Sequence, residues 1–65
     1  MSPSEFRQIR KDDLGFTQAQ IAQLMDVSKG TIYNIERKYQ VPEVYALAIR
    51  HLVWRERAKP LLALL

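Results

Sequence analysis

Apolar residues recur at helical spacing in four stretches, and three of the four begin with a side chain suited to capping a helix. Phe6, Ile9 and Leu14 form the first stripe, behind Ser2-Pro3-Ser4-Glu5. That tetrapeptide has the form of a capping box, with Ser2 as N-cap, Pro3 at the first helical position and Glu5 reaching back. It predicts a helix near 3–13, ended by Gly15 in the left-handed conformation. Thr17-Gln18-Ala19-Gln20 repeats the capping pattern before Ile21, Leu24 and Met25, so a second helix is expected over about 18–25. Asp26 takes the turn, where a positive φ costs Asp more than Gly. Ser28 caps a third helix, about 28–37, whose inward positions are Ile32 and Ile35, with Val27 just ahead of its cap.

After a polar loop at 38–40, Val41-Pro42 starts a fourth helix, about 42–57. It is apolar over most of its circumference: Val44, Tyr45, Leu47, Ala48, Ile49, Leu52, Val53 and Trp54. A surface helix of a small domain has one wet side, so this one carries more apolar surface than one small core uses. Pro60 is expected to stop it, leaving the tail Leu61-Leu62-Ala63-Leu64-Leu65. No segment alternates as a strand does. The fold class is all-α, a compact bundle of four to five short helices, with a domain over 1–58 and an apolar C-terminal tail over 59–65.

Size changes this picture in one respect. A chain of 65 residues buries only about 60% of its unfolded surface. Without cysteine, neither a disulfide nor a thiolate metal site can staple it. Efficient helix packing or a partner subunit must serve instead. The net charge of +3 permits binding to a polyanion without proving it. No apolar run approaches the roughly 18 residues of a membrane span, and the N-terminus lacks the apolar core of a signal peptide. A cytoplasmic chain is expected, with no membrane association.

Two short helices joined by a tight turn, the second with a polar outer face, describe a helix-turn-helix. In FTQAQIAQLMDVSKGTIYNIER, Ala22 is the small residue a close crossing needs, and Ile21, Leu24, Val27, Ile32 and Ile35 surround it. The outer face of the second helix has an odd makeup: Lys29, Gly30, Tyr33 and Asn34, with Ser28 and Thr31 beside them. Gly30 lies in the first turn, where helix propensity would not place it.

On these residues the chain resembles the Cro/CI-like (XRE, lambda-repressor-like) helix-turn-helix family of DNA-binding proteins. Its pattern is met by Leu14-Gly15, Thr17-Gln18, Ile21-Ala22, Val27-Ser28, Thr31-Ile32 and Glu36-Arg37, and the resemblance covers about residues 3–53. There are two departures. Asp26 stands where the family commonly has a turn glycine. Lys11 stands where an arginine of the first helix often pairs with the glutamate here numbered Glu36. A Lys11–Glu36 structural pair is therefore expected, less bidentate than an arginine would make it.

The resemblance implies that helix 28–37 lies in the major groove of double-stranded DNA. Base readout falls to Lys29, Gly30, Tyr33 and Asn34. Lys29 suits guanine and Asn34 suits adenine; Tyr33 packs on a thymine methyl or donates to phosphate. Gly30 has no side chain to read with, and its role would be close approach of the backbone. Thr17, Gln18, Ser28, Thr31, Arg37, Lys38 and Tyr39 are the expected backbone contacts. Each has a plain rival: Thr17 and Ser28 are explained by capping, Lys29 by solvation and Tyr33 by covering the core edge. Arg7 and Arg10 read as solvated, and His51 as a packing residue of the fourth helix.

One short module reads few base pairs, and a two-fold dimer solves this by placing two recognition helices about 34 Å apart. The expected homodimer interface draws on Leu52, Val53, Trp54, Leu61, Leu62, Leu64 and Leu65; the alternative is that these fold back to complete the monomer core. The function expected is a small dimeric (auto)repressor on an inverted-repeat operator. The competing class is a helix-turn-helix protein-interaction module, such as an antitoxin or a polymerase-binding factor. No catalytic set, metal site, cofactor or small-molecule ligand is expected: there is one histidine, no cysteine and no phosphate-loop motif.

Overall fold

In a computed structural model that describes residues 1–38 and 40–64, the chain is all-α. Two expected contacts, Tyr39 with DNA and Leu65 in a dimer, lie outside the described residues. Helix α1 spans Pro3–Gln8 and passes into a π-helical turn over Ile9–Asp13. Helices α2 (Gln18–Leu24) and α3 (Lys29–Ile35) form the helix-turn-helix, and α4 runs over Glu43–Leu62.

The predicted caps act as chemistry requires. The Ser2, Thr17 and Ser28 hydroxyls accept from the backbone N–H groups of Glu5, Gln20 and Thr31, each satisfying a donor that a helix start leaves free. At Thr17 the Gln20 side chain also accepts from the Thr17 N–H, at 2.8 Å, completing the box. Gly15 ends the first helix with φ +68°. The α2–α3 turn is a Schellman motif: Val27 N–H reaches the Ala22 carbonyl at 2.9 Å and Asp26 N–H the Gln23 carbonyl at 3.2 Å. This places Asp26 at φ 58°, the left-handed conformation expected of it.

The core is built from every helix: Phe6, Ile21, Ala22, Ile32, Ile35, Ala46, Ile49 and Leu52, with Val41 from the preceding loop. Burying an isoleucine fully is worth about 1.5–3 kcal/mol, so Ile32 and Ile35 anchor α3 firmly. Leu24 departs from expectation. It lies half exposed beside a groove it shares with Val44, Ala48 and His51, outside the α2–α3 crossing.

Helix α4 corrects three expectations. It does not stop before Pro60 but continues to Leu62. The missing N–H of Pro60 removes one bond near the end of the helix, and Ala63 N–H closes the last turn on the Lys59 carbonyl at 3.0 Å. Leu52 is no interface residue; with 5% of its surface exposed it belongs to the core with Ala46 and Ile49. His51 is not packed inside but exposed, its ring stacked on Trp54 at 6.0 Å. Nor do Trp54, Leu61, Leu62 and Leu64 fold back: all are more than half exposed. With Val44 and Leu47, also exposed, Trp54, Leu61 and Leu62 give α4 an apolar side facing away from the core, and Leu64 lies exposed just beyond its end.

Candidate nucleic-acid interface

Phe6 is fully buried, and on a helix the residue four positions on shares its face. That residue is Arg10, so a guanidinium enters the body of the domain where α1, α2 and α3 converge. Its Nε donates to Glu36 Oε2 at 2.6 Å, its Nη2 to Glu36 Oε1 at 3.0 Å and its Nη1 to the Phe16 carbonyl at 2.9 Å. The Gln18 amide donates to Glu36 Oε1 at 3.2 Å. The two charged side chains retain only 8% and 5% of their exposure. No buried polar side-chain atom among the described residues lacks a partner. A buried pair with its hydrogen bonds filled in this way holds three helices in one arrangement.

The expected Lys11–Glu36 pair is thereby corrected. Lys11 is exposed, one step further around the helix, and Arg10 takes the glutamate. The reading of Arg10 as solvated is corrected with it, while Arg7 is exposed as expected. The signal was present in the Phe6–Arg10 spacing, which outweighs an offset counted from Gly15 because it measures the helical face directly.

On the outer side of α3, Lys29, Gly30, Tyr33 and Asn34 are all exposed, opposite the buried Ile32 and Ile35. Ser28 caps the helix and its hydroxyl lies 2.9 Å from that of Thr31. Tyr33 does not cover the core edge; Arg37 lies over its ring at 5.1 Å and donates to its hydroxyl at 2.9 Å. Thr17 and Lys38 are exposed and Gln18 is half-buried, its amide turned to Glu36. A Cβ on Gly30 would meet only Ser28 Oγ, at an ordinary 3.8 Å, so nothing within the domain demands glycine there.

Between α1 and α3 opens a cleft of about 590 Å³, lined among others by Arg7, Lys11, Gln18, Lys29, Tyr33 and Arg37, with the Arg10–Glu36 pair among its walls. Four of these side chains are cations: Lys29 and Arg37, expected as DNA contacts, and Arg7 and Lys11, which only the packing of the first helix beside α3 brings to them. Among the described residues no helix is long and apolar enough to cross a membrane.

Comparison with curated proteins and with solved structures gives no match. A family model described as helix-turn-helix matches residues 6–48, which takes in the Arg10–Glu36 network, both helices of the motif and the start of α4. With that match over more than half its length, and with this geometry, the chain belongs to the Cro/CI-like helix-turn-helix family of DNA-binding regulators.

Proposed function

We propose that the chain is a small cytoplasmic transcriptional repressor that binds an inverted-repeat operator as a homodimer, reading each half-site with α3. The observation that carries this reading is the outer face of α3. Its inner residues are wholly buried, while Lys29, Gly30, Tyr33 and Asn34 stand exposed beside a cluster of cations. Lys29 donates to guanine O6 or N7, and Asn34 pairs bidentately with adenine. Asn is a poor residue for an exposed helix face on folding grounds alone. Gly30 is unexplained by packing, which supports a role in letting the backbone approach DNA closely. Thr17, Gln18, Ser28, Thr31, Arg37 and Lys38 set the register on phosphates, and the base contacts set sequence choice.

The dimer rests on the outward side of α4. Val53, which is half-buried, and the exposed Trp54, Leu61, Leu62 and Leu64 remain candidates, joined by Val44 and Leu47, after Leu52 is withdrawn to the core. An exposed apolar stripe of this extent is unusual on a monomer. The same stripe favours a second reading, a protein-interaction module whose binding would survive Lys29→Ala and Asn34→Ala. The deciding experiment is a footprint on the DNA upstream of the chain's own gene. A protected pair of two-fold-related half-sites, lost on Asn34→Ala, is the expected result. Absence of any protected sequence at moderate salt, with partner capture intact in the variants, would establish the second reading.

A further inference from the structure

We propose that the groove between the α2–α3 turn and α4 is a socket for Leu61 and Leu62 of a second copy of the chain. Two α4 helices then pair antiparallel, each tail seated beside the other copy's helix-turn-helix. This rests on the homodimer reading above and adds to it the direction of pairing, its register and a surface outside α4.

Spacing along α4 is the first observation. Val44, Leu47, His51, Trp54, Ala58 and Leu61 recur at alternating steps of three and four residues. That is the seam spacing by which two helices pack along their length. All are exposed except Ala58, which is half-buried. The core residues of the helix, Ala46, Ile49 and Leu52, lie on the opposite side. A second copy can therefore lie along α4 without disturbing the core.

The unlike halves of this seam are the second. Among the described residues none of α4 beyond Leu52 is buried, so Val53 to Leu62 projects about 15 Å past the core. The molecule is accordingly long, at 41 × 20 × 20 Å. Its projecting half carries exposed leucines, and its other half carries a groove of about 370 Å³, lined among others by Leu24, Met25, Val27, Val44 and Ala48. A parallel pair would set leucine on leucine and leave both grooves open. An antiparallel pair, with its two-fold axis between His51 and Trp54, sets Leu61 opposite Val44, Ala58 opposite Leu47 and Trp54 opposite His51. Ala48 and Arg55 line the groove, and Leu62, seven residues past Arg55, lies on the same flank of the helix. Leu62 of the second copy then falls beside Ala48 and covers the half-exposed Leu24. At the axis the two His51–Trp54 stacks meet. Such a contact uses the same patches on both copies and closes on itself.

Charge is the third. Arg50 and Arg55 flank His51, and pairing brings both copies of each near the axis. Arg50 has Glu43 at 4.0 Å, and among the described residues Arg55 is in no ion pair. Apolar contact must outweigh this repulsion, so the dimer should tighten as salt screens it. An acidic helix of another protein on the same seam would be released by salt instead.

The chain has no cysteine, so single thiols can report the register. The test treats Val44→Cys, Leu61→Cys and an equal mixture of the two with a short bismaleimide; both positions are exposed, and the variants should fold. The mixture should cross-link and neither variant alone should. Cross-linking of either variant with itself would show a parallel pair and overturn the socket. A wild-type chain that sediments as a dimer, with no cross-link in the mixture, would overturn this pairing and leave the dimer reading standing. A wild-type chain that sediments only as monomer would overturn both. Leu24→Arg should weaken the dimer about tenfold or more, because the pairing would bury an unpaired charge in the groove. An unchanged dimer in Leu24→Arg would remove the socket. Sedimentation between about 0.1 and about 0.5 M salt should show the dimer strengthening; weakening would mean that opposite charges hold it, contrary to this register.

Discussion

Arg10 grips both carboxylate oxygens of Glu36, at 2.6 and 3.0 Å, and so ties the end of the first helix to the end of α3. The third nitrogen of the fork, Nη1, donates to the Phe16 carbonyl in the loop that leads into α2. One side chain thereby fixes the orientation of the helix-turn-helix relative to the helix before it.

Removing either partner should be severe. Arg10→Ala or Glu36→Ala strands a charge that is almost fully buried, and the expected loss is about 3–5 kcal/mol. A domain of this size has little more stability than that, so urea melts should show either variant largely unfolded. Arg10→Lys keeps the charge without the fork and should lose less. Lys11→Ala should melt within about 0.5 kcal/mol of wild type, as an exposed residue does.

Asp26→Gly should stabilise the fold. The left-handed conformation at φ 58° costs a non-glycine residue on the order of 1–2 kcal/mol. Glycine removes that strain but loses more backbone freedom on folding. A net gain of about 0.5–1 kcal/mol in chemical denaturation is expected, with the Schellman bonds intact.

Gly30→Ala should separate stability from function. The added Cβ meets nothing closer than 3.8 Å, so the helix gains up to about 1 kcal/mol from propensity. Operator affinity should fall if the backbone at this position approaches DNA. A variant with a raised melting point and undiminished operator binding would remove the close-approach role of Gly30.

Trp54→Ala tests the outward side of α4. With 63% of its surface exposed, Trp54 adds little to the monomer core, and the thermal midpoint of the isolated protomer should move only slightly. Sedimentation should show a dimer for the wild-type chain at micromolar concentration and a shift to monomer for the variant, more complete with Leu61→Ala. Operator binding should then lose its two-fold character. A wild-type chain that sediments only as monomer would remove the dimer.

Several features of this fold could be read without coordinates because they are local. Ser2, Thr17 and Ser28 each cap a helix through a bond spanning three residues. Gly15 and Asp26 occupy positions where the chain turns by a left-handed step, and the flanking periodicity already located both. The buried faces of α2 and α3 followed from Ile21, Ala22, Ile32 and Ile35, since spacing along one helix decides which side chains share a side.

The chain's sequence by itself determined four helices, the caps of the first three, the tight α2–α3 turn and the exposed polar face of α3. It also showed an excess of apolar residues in α4. The tertiary structure decided which charge Glu36 takes, because that choice depends on how Phe6 seats α1 in the core. It decided that Leu52 turns inward while Trp54, Leu61, Leu62 and Leu64 turn out, since a helix apolar on nearly every side offers no pattern to choose its buried face. It also gathered Arg7 and Lys11 with Lys29 and Arg37 around one cleft. Periodicity describes each helix about its own axis; the meeting of side chains from separate helices exists only once those axes are packed.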